Sequence, residues 1–492
     1  MTAQEAHDAL FLGFDCSTQS MTAVVTNVRG DVVHECAFRF DEKFPQYGTT
    51  NGVLRLRDTR NNEMVVIPSL LFVDALDAVL GDLAASGKLK LSAVKSISGS
   101  AQQHASVYWA KEFSLQESLN AADPSSRLVD ALKSYNQKSP FYLEHGPSWM
   151  DSSTTVFCEA LEKELGGADR VAQISGSRAY ERFTGNQIAK RIHDDPEFLN
   201  QVGRIALLLK ATAKFSPVAD APKLLEAVLG STVAKPYNTI GHVHPYFQKK
   251  FGFSPECVVV PFSGDNPCSL AGIGLSKSGD VGVSLGTSST LMAVVPTDEA
   301  RTSGQEGHFF SNPIDPYSLM AMICFKNGSL TRQEVRDHRA NKSWDDFDAM
   351  LKATQPGNDG VVGFYFSDPE ITPSTAKAGV IGFDASDAVV DLQVLSSEAE
   401  VRAVVESQFL SLRLHAERLG VTQPPQRLIV VGGASSNTSM LQVLANVFNA
   451  PVYRLTCATN SAALGGAFRA QHGLACAQSP DGSFVAMRNA NA

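Results

Sequence analysis

Apolar and polar positions alternate in blocks along the chain, and the blocks predict buried strands separated by amphipathic helices. Two segments, residues 10–25 and 280–294, have the same form: an apolar strand, a short turn rich in serine and threonine, and a second strand. Two strands joined in this way form a hairpin. Because the copies lie about half a chain apart, we expect a duplicated domain with a cleft between its halves.

Three further apolar runs end at small residues, and they lie at 94–100, 258–264 and 428–434. Continuous apolar runs of this length are typical of strands that a sheet buries on both faces. Helical periodicity covers residues 69–83 and 401–419. Strands that alternate with helices place the chain in the α/β class.

The chain has 492 residues, which is too many for one hydrophobic core, so we expect two domains. We predict the boundary between residues 245 and 246. The first domain then covers residues 1–245 and the second covers 246–475, and residues 476–492 form a tail.

Composition and charge exclude several classes of partner. The formal net charge of −9 argues against nucleic acid, which normally requires a basic stripe, and against an anionic membrane surface. The apolar runs are far shorter than the ~20 residues that span a bilayer. None of the eight cysteines forms a C-x-x-C pair, so a zinc site or a redox motif is not expected. The N-terminal segment lacks the basic region of a signal peptide, and together these features predict a cytoplasmic protein with free thiols.

Asp265 is the first candidate for chemistry. It directly follows an apolar strand and lies between Gly264 and Asn266. A carboxylate in that place lies at the carboxyl edge of a sheet and faces a crevice, where it can act as a general base. A turn or helix-cap aspartate has the same sequence environment, because Asp and Asn both favour those positions. The residues alone leave both interpretations open.

Asp15 and the turn at 286–288 are candidates for a phosphate region. Asp15 interrupts the first apolar run and precedes hydroxyl and amide side chains, so it could hold Mg²⁺ through water while N–H groups of the turn face phosphate. A structural hairpin aspartate is the alternative. The Gly-Thr-Ser turn of the second copy could bind phosphate through its backbone N–H groups. The chain has no Walker A motif and no G-x-G-x-x-G after a strand, which argues against P-loop and Rossmann folds.

Other polar residues have both a structural and a functional interpretation. His104 follows the end of a predicted strand. Arg182 lies in a polar run, and the planar guanidinium of arginine is a donor group that suits hydroxyls and phosphates. Trp149 and Trp344 are equally consistent with core positions. The Gly-Gly-Ala run at 432–434 could pack against an adenine ring at the start of a helix.

Taken in order, these segments resemble the FGGY family of carbohydrate kinases, and within it the eukaryotic xylulose kinases. The resemblance extends from about residue 10 to 473. Its most specific motifs lie at residues 14–19, 99–104, 149–155, 177–187, 263–267, 284–288, 324–330 and 432–437.

The resemblance implies two actin-like, ribonuclease H-like domains around a central cleft, and transfer of the γ-phosphoryl group of MgATP to a sugar hydroxyl. It implies that Asp265 is the catalytic base and that the first domain lies on the sugar side. The implied sugar-binding residues are His104, Arg182, Asp265, Asn266, Trp149 and Asp151. The implied phosphate and nucleotide residues are Asp15, Ser17, Thr18, Gly286, Thr287, Ser288, Trp344, Gly432, Gly433, Ala434 and Asn437, with Asp15 as the metal ligand.

The resemblance predicts ATP-dependent phosphorylation of D-xylulose to D-xylulose 5-phosphate by a monomer or homodimer. One departure raises an alternative. A helix predicted to end near Leu209 is followed in the family by a segment of a few dozen residues, which this chain lacks before it rejoins the pattern near Leu229. A catalytically impaired variant that binds nucleotide or sugar without turnover therefore stays open. So does a kinase of another ketose or polyol.

Overall fold

The computed structural model describes residues 8–58, 61–206, 226–229, 234–373, 376–455, 460–479 and 484. The chain divides into two compact units. The first consists of Met1–Leu165, Ala179–Gly272 and Thr459–Ala492, and the second of Gly166–Arg178 and Ile273–Ala458. The predicted domain ranges 1–245 and 246–475 stay a prediction.

Strands and helices alternate in both units, which confirms the predicted α/β class. The strands are β1 (Leu10–Cys16), β2 (Ser20–Thr26), β3 (Val32–Arg39), β4 (Leu54–Arg57), β5 (Glu63–Pro68), β6 (Val94–Ala101), β7 (Val107–Ala110), β8 (His145–Pro147), β9 (Val202–Ala206), β10 (Gly241–His242), β11 (Val258–Val259), β12 (Ser263–Gly264), β13 (Asp280–Leu285), β14 (Ser289–Pro296), β15 (His308–Ser311), β16 (Ser318–Phe325), β17 (Val362–Phe366), β18 (Gly379–Phe383), β19 (Val389–Val390), β20 (Arg427–Val431) and β21 (Val452–Arg454). The helices are α1 (Phe40–Lys43), α2 (Ser69–Ala85), α3 (Leu115–Ala121), α4 (Leu128–Ser134), α5 (Thr155–Leu165), α6 (Ala168–Ser175), α7 (Thr184–Asp194), α8 (Phe198–Gln201), α9 (Pro245–Phe251), α10 (Asp265–Gly272), α11 (Ser329–Arg339), α12 (Trp344–Ala353), α13 (Ser397–Arg418), α14 (Thr438–Phe448) and α15 (Ser461–Gln478).

The central sheet of the first unit has the strand order β10-β11-β6-β1-β2-β3, and β12 pairs with the end of β6. β1 is antiparallel to β2 and parallel to β6, and β12 is also parallel to β6. The parallel strands β1, β6 and β12 therefore end at the same edge of the sheet. Asp15 and Ser100 are paired in the register of β1 and β6, and Asp265 follows β12 directly.

The central sheet of the second unit repeats this arrangement, with the order β15-β16-β14-β13-β20-β21. β13 is antiparallel to β14 and parallel to β20, as β1 is antiparallel to β2 and parallel to β6. The predicted duplicated hairpin is thus confirmed as β1–β2 and β13–β14. The apolar residues of the sheet and of helices α11 to α14 form one continuous core.

Helix α15 packs against β1, β6 and α10 in the first unit, and this packing depends on glycine. A Cβ atom on Gly465 would lie 1.8 Å from the carbonyl oxygen of Cys268, and one on Gly13 would lie 2.0 Å from that of Ala463. Side chains cannot be accommodated at these distances, so backbone contacts backbone directly. Since α10 begins at Asp265, this contact also sets the position of the candidate base.

Three segments differ from the sequence prediction. The predicted helix ending near Leu209 is wrong over its first part, because Val202–Ala206 forms β9 and pairs with β7; residues 207–225 lie outside the described residues. The apolar run 258–264 forms two short strands, since Pro261 has no N–H to continue the ladder. Helix α15 ends at Gln478, inside the predicted tail.

The contact between α10 and α15 makes Gly465 a sensitive position. We expect Gly465→Ala to lower the free energy of unfolding by about 1–3 kcal/mol, because the added methyl forces the two backbones apart. A Cβ atom on Gly81 in α2 would have no other atom within 4 Å, so Gly81→Ala is the matched control and should raise stability by about 0.5–1 kcal/mol. Urea denaturation of both variants measures the difference. Equal stabilities would contradict the packing described for α15.

Candidate active site

Asp15 lies at the sheet edge of the first unit and is held by three donors. Only 2% of the residue is exposed. Its carboxylate accepts hydrogen bonds from Ser100 Oγ at 2.7 Å, from Asn460 Nδ2 at 3.0 Å and from Ser17 Oγ. These donors fix the orientation of the carboxylate and satisfy a charge that would otherwise be costly to bury.

Asp265 is the first residue of α10 and is half-buried at the same edge. The backbone N–H of Asn266 donates to its Oδ1 at 2.8 Å and Asn266 Nδ2 donates to the same atom at 3.0 Å. Burial and the negative charge of Asp15 raise the pKa of Asp265 to about 6, although backbone N–H groups of Asn266 and Gln103 act in the opposite direction. A carboxylate with a pKa near neutrality is suited to accept a proton. Asp265 thus heads a helix and also has the properties of a base.

His104 has a strained backbone and a neutral ring. Its φ is 75°, its ring centroid lies 4.5 Å from that of Phe183, and its carbonyl accepts a hydrogen bond from Thr184 Oγ1 at 2.9 Å. Burial and the positive charge of Arg182 lower the pKa of His104 to about 3. The guanidinium of Arg182 lies over the ring of Tyr180, 4.6 Å from its centroid. A neutral imidazole offers one donor and one acceptor, which suits an uncharged hydroxyl.

Trp149 and Asp151 make contacts that the sequence did not suggest. Trp149 is 42% exposed, and its Nε1 donates to Thr18 Oγ1 at 2.8 Å. Asp151 is buried and accepts hydrogen bonds from the N–H of Val65 at 3.2 Å and from Ser153 Oγ at 2.7 Å. The carboxylate of Asp151 therefore braces the strand and the loop around it. Sugar binding by either residue stays a prediction.

A pocket of about 680 Å³ lies in the second unit. It is formed by the end of β13, the starts of α11 and α12, and the turn before α14. The predicted nucleotide residues that line it are Gly286, Thr287, Trp344, Gly433, Ala434 and Asn437. Its volume lies within the range of known small-molecule sites.

Two further predicted nucleotide residues of the second unit, Ser288 and Gly432, do not line this pocket but hold the backbone next to it. The carbonyl of Ser288 accepts the N–H of Gly286 at 3.2 Å and closes the turn. Gly432 has a φ of 91°, and a Cβ atom there would lie 2.7 Å from the carbonyl oxygen of Leu285. Only glycine allows the two backbones to approach in this way.

Trp344 and Asn437 occupy helix starts in the same pocket. Asn437 Oδ1 accepts the N–H of Met440 at 2.9 Å and caps α14. Trp344 is 39% exposed and begins α12. The guanidinium of Arg336 lies 4.6 Å from the centroid of its ring, which leaves the ring partly covered on one side.

Sequence reasoning missed Ser100 and Asn460 around Asp15, and Arg332 in the pocket of the second unit. Ser100 lay in a predicted strand, and parallel pairing of that strand with β1 would have placed it opposite Asp15. Asn460 caps α15 by accepting the N–H of Ala463 at 2.9 Å.

In the described part of the chain no group of three or more His, Cys, Asp or Glu side chains could hold a metal ion. No described helix combines the length and apolarity needed to cross a membrane.

Comparison with known proteins identifies the family. The model for the C-terminal domain of the FGGY family of carbohydrate kinases matches residues 281–474. Xylulose kinase 2 of Arabidopsis thaliana is 40% identical over 98% of this chain and 90% of its own length. Xylulose kinase of Mus musculus is also 40% identical, over 96% of this chain and 87% of its own length. This chain belongs to the FGGY family of carbohydrate kinases.

Solved structures confirm the fold of this carbohydrate kinase. A xylulose kinase from Bifidobacterium adolescentis has a TM-score of 0.69 at 19% identity and covers 95% of this chain and 93% of its own. A glycerol kinase from Plasmodium falciparum, solved with ADP, has a TM-score of 0.67 at 13% identity and covers 98% of this chain and 92% of its own. The predicted pair of actin-like domains is confirmed.

The alignment with the Arabidopsis relative runs over 518 positions, which exceeds the 492 residues of this kinase. The relative therefore carries residues without a counterpart here. The gap predicted between Leu209 and Leu229 falls mostly in residues 207–225, which lie outside the described residues, whereas residues 226–229 are described.

The proximity of two carboxylates in the first unit can be tested by titration. We expect Asp265 to titrate near pH 6 and Asp15→Asn to lower that pKa, because removal of a like charge favours the ionised form. Asp31→Asn removes an exposed carboxylate from the β2–β3 turn and is the control, with no shift expected. Carbon-13 NMR of labelled aspartates measures both. An unchanged pKa in Asp15→Asn would show that Asp15 does not act on Asp265.

Proposed function

We propose that this kinase transfers the γ-phosphoryl group of ATP to D-xylulose and forms D-xylulose 5-phosphate. The observation that carries the proposal is Asp265, a half-buried carboxylate with a pKa of about 6 at the sheet edge that also holds Asp15. Relatives that share 40% of their residues with nearly the whole chain are xylulose kinases, and this supports the choice of sugar.

In the proposed reaction Asp265 accepts the proton of the sugar hydroxyl as the hydroxyl oxygen attacks the γ-phosphorus of ATP, whose bond to the β,γ-bridging oxygen breaks and releases ADP. Asn266 holds one carboxylate oxygen of Asp265 through two hydrogen bonds and so fixes the orientation of the base. Phosphoryl transfer requires mainly positioning, charge neutralisation and a base. A ketopentose carries hydroxyls and no charge, so the neutral His104, the donors of Arg182 and the side-chain oxygen of Asn266 are suitable partners for it.

The residues around Asp15 fit a magnesium ion that arrives with ATP. Mg²⁺ prefers oxygen ligands and is usually bound by one or two carboxylates together with water and substrate phosphates. Asp15, Ser17 and Thr18 offer such oxygens, and the repulsion between Asp15 and Asp265 is relieved by a cation. Asp15 would hold the ion, which neutralises charge on the phosphates. In the second unit Gly286, Thr287 and the Trp344 pocket would bind the nucleotide. We further propose a cytoplasmic monomer or homodimer.

Replacement of the base is the direct test. We expect Asp265→Ala to lower kcat by about 10²–10⁴-fold, since a general base contributes that much. Binding of ADP, measured by titration calorimetry, should change little, because Asp265 does not line the pocket of the second unit. Asp31→Ala removes an exposed carboxylate and should retain full turnover. Undiminished turnover of Asp265→Ala in a coupled assay would refute its role.

A substrate panel distinguishes the remaining alternatives. We expect D-xylulose to give a higher kcat/KM than D-ribulose or glycerol with the same purified enzyme. A higher value for D-ribulose or glycerol would make the chain a kinase of another ketose or polyol. Binding of ADP without turnover of any of the three substrates would identify an impaired variant. This alternative is worth testing because the Arabidopsis relative carries residues that have no counterpart in this chain.

A further inference from the structure

Arg332 is a buried cation on the wall of the pocket in the second unit. It lies in the first turns of α11, one turn after Gly328, and only 1% of the residue is exposed. Its Nη1 donates to the side-chain oxygen of Gln408, which is neutral. Its Nε and Nη2 are buried and have no hydrogen-bond partner among the residues that the structure describes.

Other buried arginines make more hydrogen bonds than Arg332, although Nε of Arg469 also has no partner among the described residues. Arg469 is equally buried, and its Nη2 donates to the carbonyls of Pro261 at 2.8 Å and Pro236 at 3.1 Å. Arg402 is paired with Glu406 at 3.0 Å. Burial alone lowers the pKa of Arg332 to about 10, so the group is still a cation at neutral pH, and it has no ion pair with a carboxylate of the described residues. A buried charge without a counterion is costly.

The surroundings of Arg332 are those of an anion site. Gly286, Thr287 and Ser329 line the same pocket, and the N–H of Ser329 donates to the carbonyl of Gly286 at 3.0 Å. A Cβ atom on Gly328 would lie 2.5 Å from the carbonyl oxygen of Thr287. The start of α11 is therefore locked against the Gly-Thr-Ser turn. A helix start carries partial positive charge, to which Arg332 adds a full one.

The acidic side chains of the pocket are on a different element. Asp345 and Asp348 belong to α12, which begins with Trp344. Asp348 is paired with Lys352 at 2.6 Å. Carboxylates beside an aromatic ring suit the hydroxyls and base of a nucleoside rather than its phosphates. The pocket thus divides into a cationic wall on α11 and an acidic, aromatic wall on α12.

We propose that Arg332 and the start of α11 form the phosphate subsite of the nucleotide pocket, so that the buried guanidinium selects nucleotides by their negative charge. The inference rests on the proposed use of ATP and names a residue of that site which the sequence did not suggest. The phosphates of a bound nucleotide supply the negative charge that the protein does not place beside Arg332.

The test compares ADP with adenosine, both titrated into the full-length protein without sugar. We expect Arg332→Met to weaken ADP binding by roughly 10- to 100-fold, as a charge-assisted interaction implies, and adenosine binding by less than about threefold. Arg332→Gln keeps a donor for Gln408 and loses the charge, so it should show the same loss for ADP. Arg332→Lys keeps the charge and should recover most of it.

Lys326→Met is the matched control. Lys326 is a half-exposed cation just before α11, paired with Asp368 at 3.2 Å, and it does not line the pocket. Its removal changes the net charge equally and should leave ADP affinity within about twofold. The proposal is overturned if the Met and Gln variants of Arg332 keep ADP affinity within threefold, or if they lose ADP and adenosine affinity in equal proportion, which is the result of a structural role.

The thermal midpoint of the nucleotide-free protein separates these roles further. Removal of a buried, uncompensated charge should leave the midpoint of Arg332→Met unchanged or raise it, whereas loss of a structural contact lowers it. Because the titrations contain no sugar, they are independent of whether D-xylulose is the substrate. Turnover of D-xylulose by the unchanged enzyme tests the proposed function separately.

Discussion

Two carboxylates that repel each other lie at one sheet edge of the first unit. Asp15 lies near the end of β1 and Asp265 follows β12, and parallel pairing of both strands with β6 brings their ends together. Asp15 accepts hydrogen bonds from Ser17, Ser100 and Asn460, and these donors fix the orientation of its buried carboxylate. Asp265 is buried beside that charge, and burial together with the repulsion from Asp15 raises its pKa, although the N–H groups around it act in the opposite direction. The same fold therefore produces one carboxylate suited to a cation and one suited to a proton.

The packing of α15 maintains this arrangement. It contributes Asn460 at its start, contacts α10 through Gly465, and accepts a hydrogen bond from Ser96 Oγ to the carbonyl of Ala470 at 2.7 Å. A helix from the end of the chain thus braces both the strand that carries Asp15 and the helix that begins at Asp265. Small residues are required at these contacts because the backbones touch, and the position of the site follows from that closeness.

Local features were predictable from the sequence, and features made by distant segments were not. The hairpins follow from alternating apolar residues and a polar turn, and Asp265 was identifiable because a charge follows a buried strand. Ser100 and Asn460 lie 85 and 445 residues from Asp15, and only strand pairing and helix packing bring them to it. Residues 202–206 fit helical and strand patterns alike, and pairing with β7 decides the outcome. Arg332 was missed because arginine is usually a surface residue and its burial is a tertiary property.

The duplicated hairpins carry different charges at matching positions. In the first unit Asp15 pairs with Thr22 across the hairpin and with Ser100 on the parallel strand. The matching position of the second unit is Ser284, which pairs with Thr290 and with Val431. The carboxylate and its hydroxyl donor are thus replaced by a neutral pair.

A buried guanidinium appears in the second unit instead, on the helix that packs against the Gly-Thr-Ser turn. The two neighbouring carboxylates of the first unit favour a metal cation and the acceptance of a proton. The buried guanidinium and the helix start of the second unit favour phosphate. Considered separately, each copy of the fold has the charge that one part of a metal–nucleotide complex requires. Under the proposed function, this divergence of buried charge on a common backbone gives the two halves different ligands.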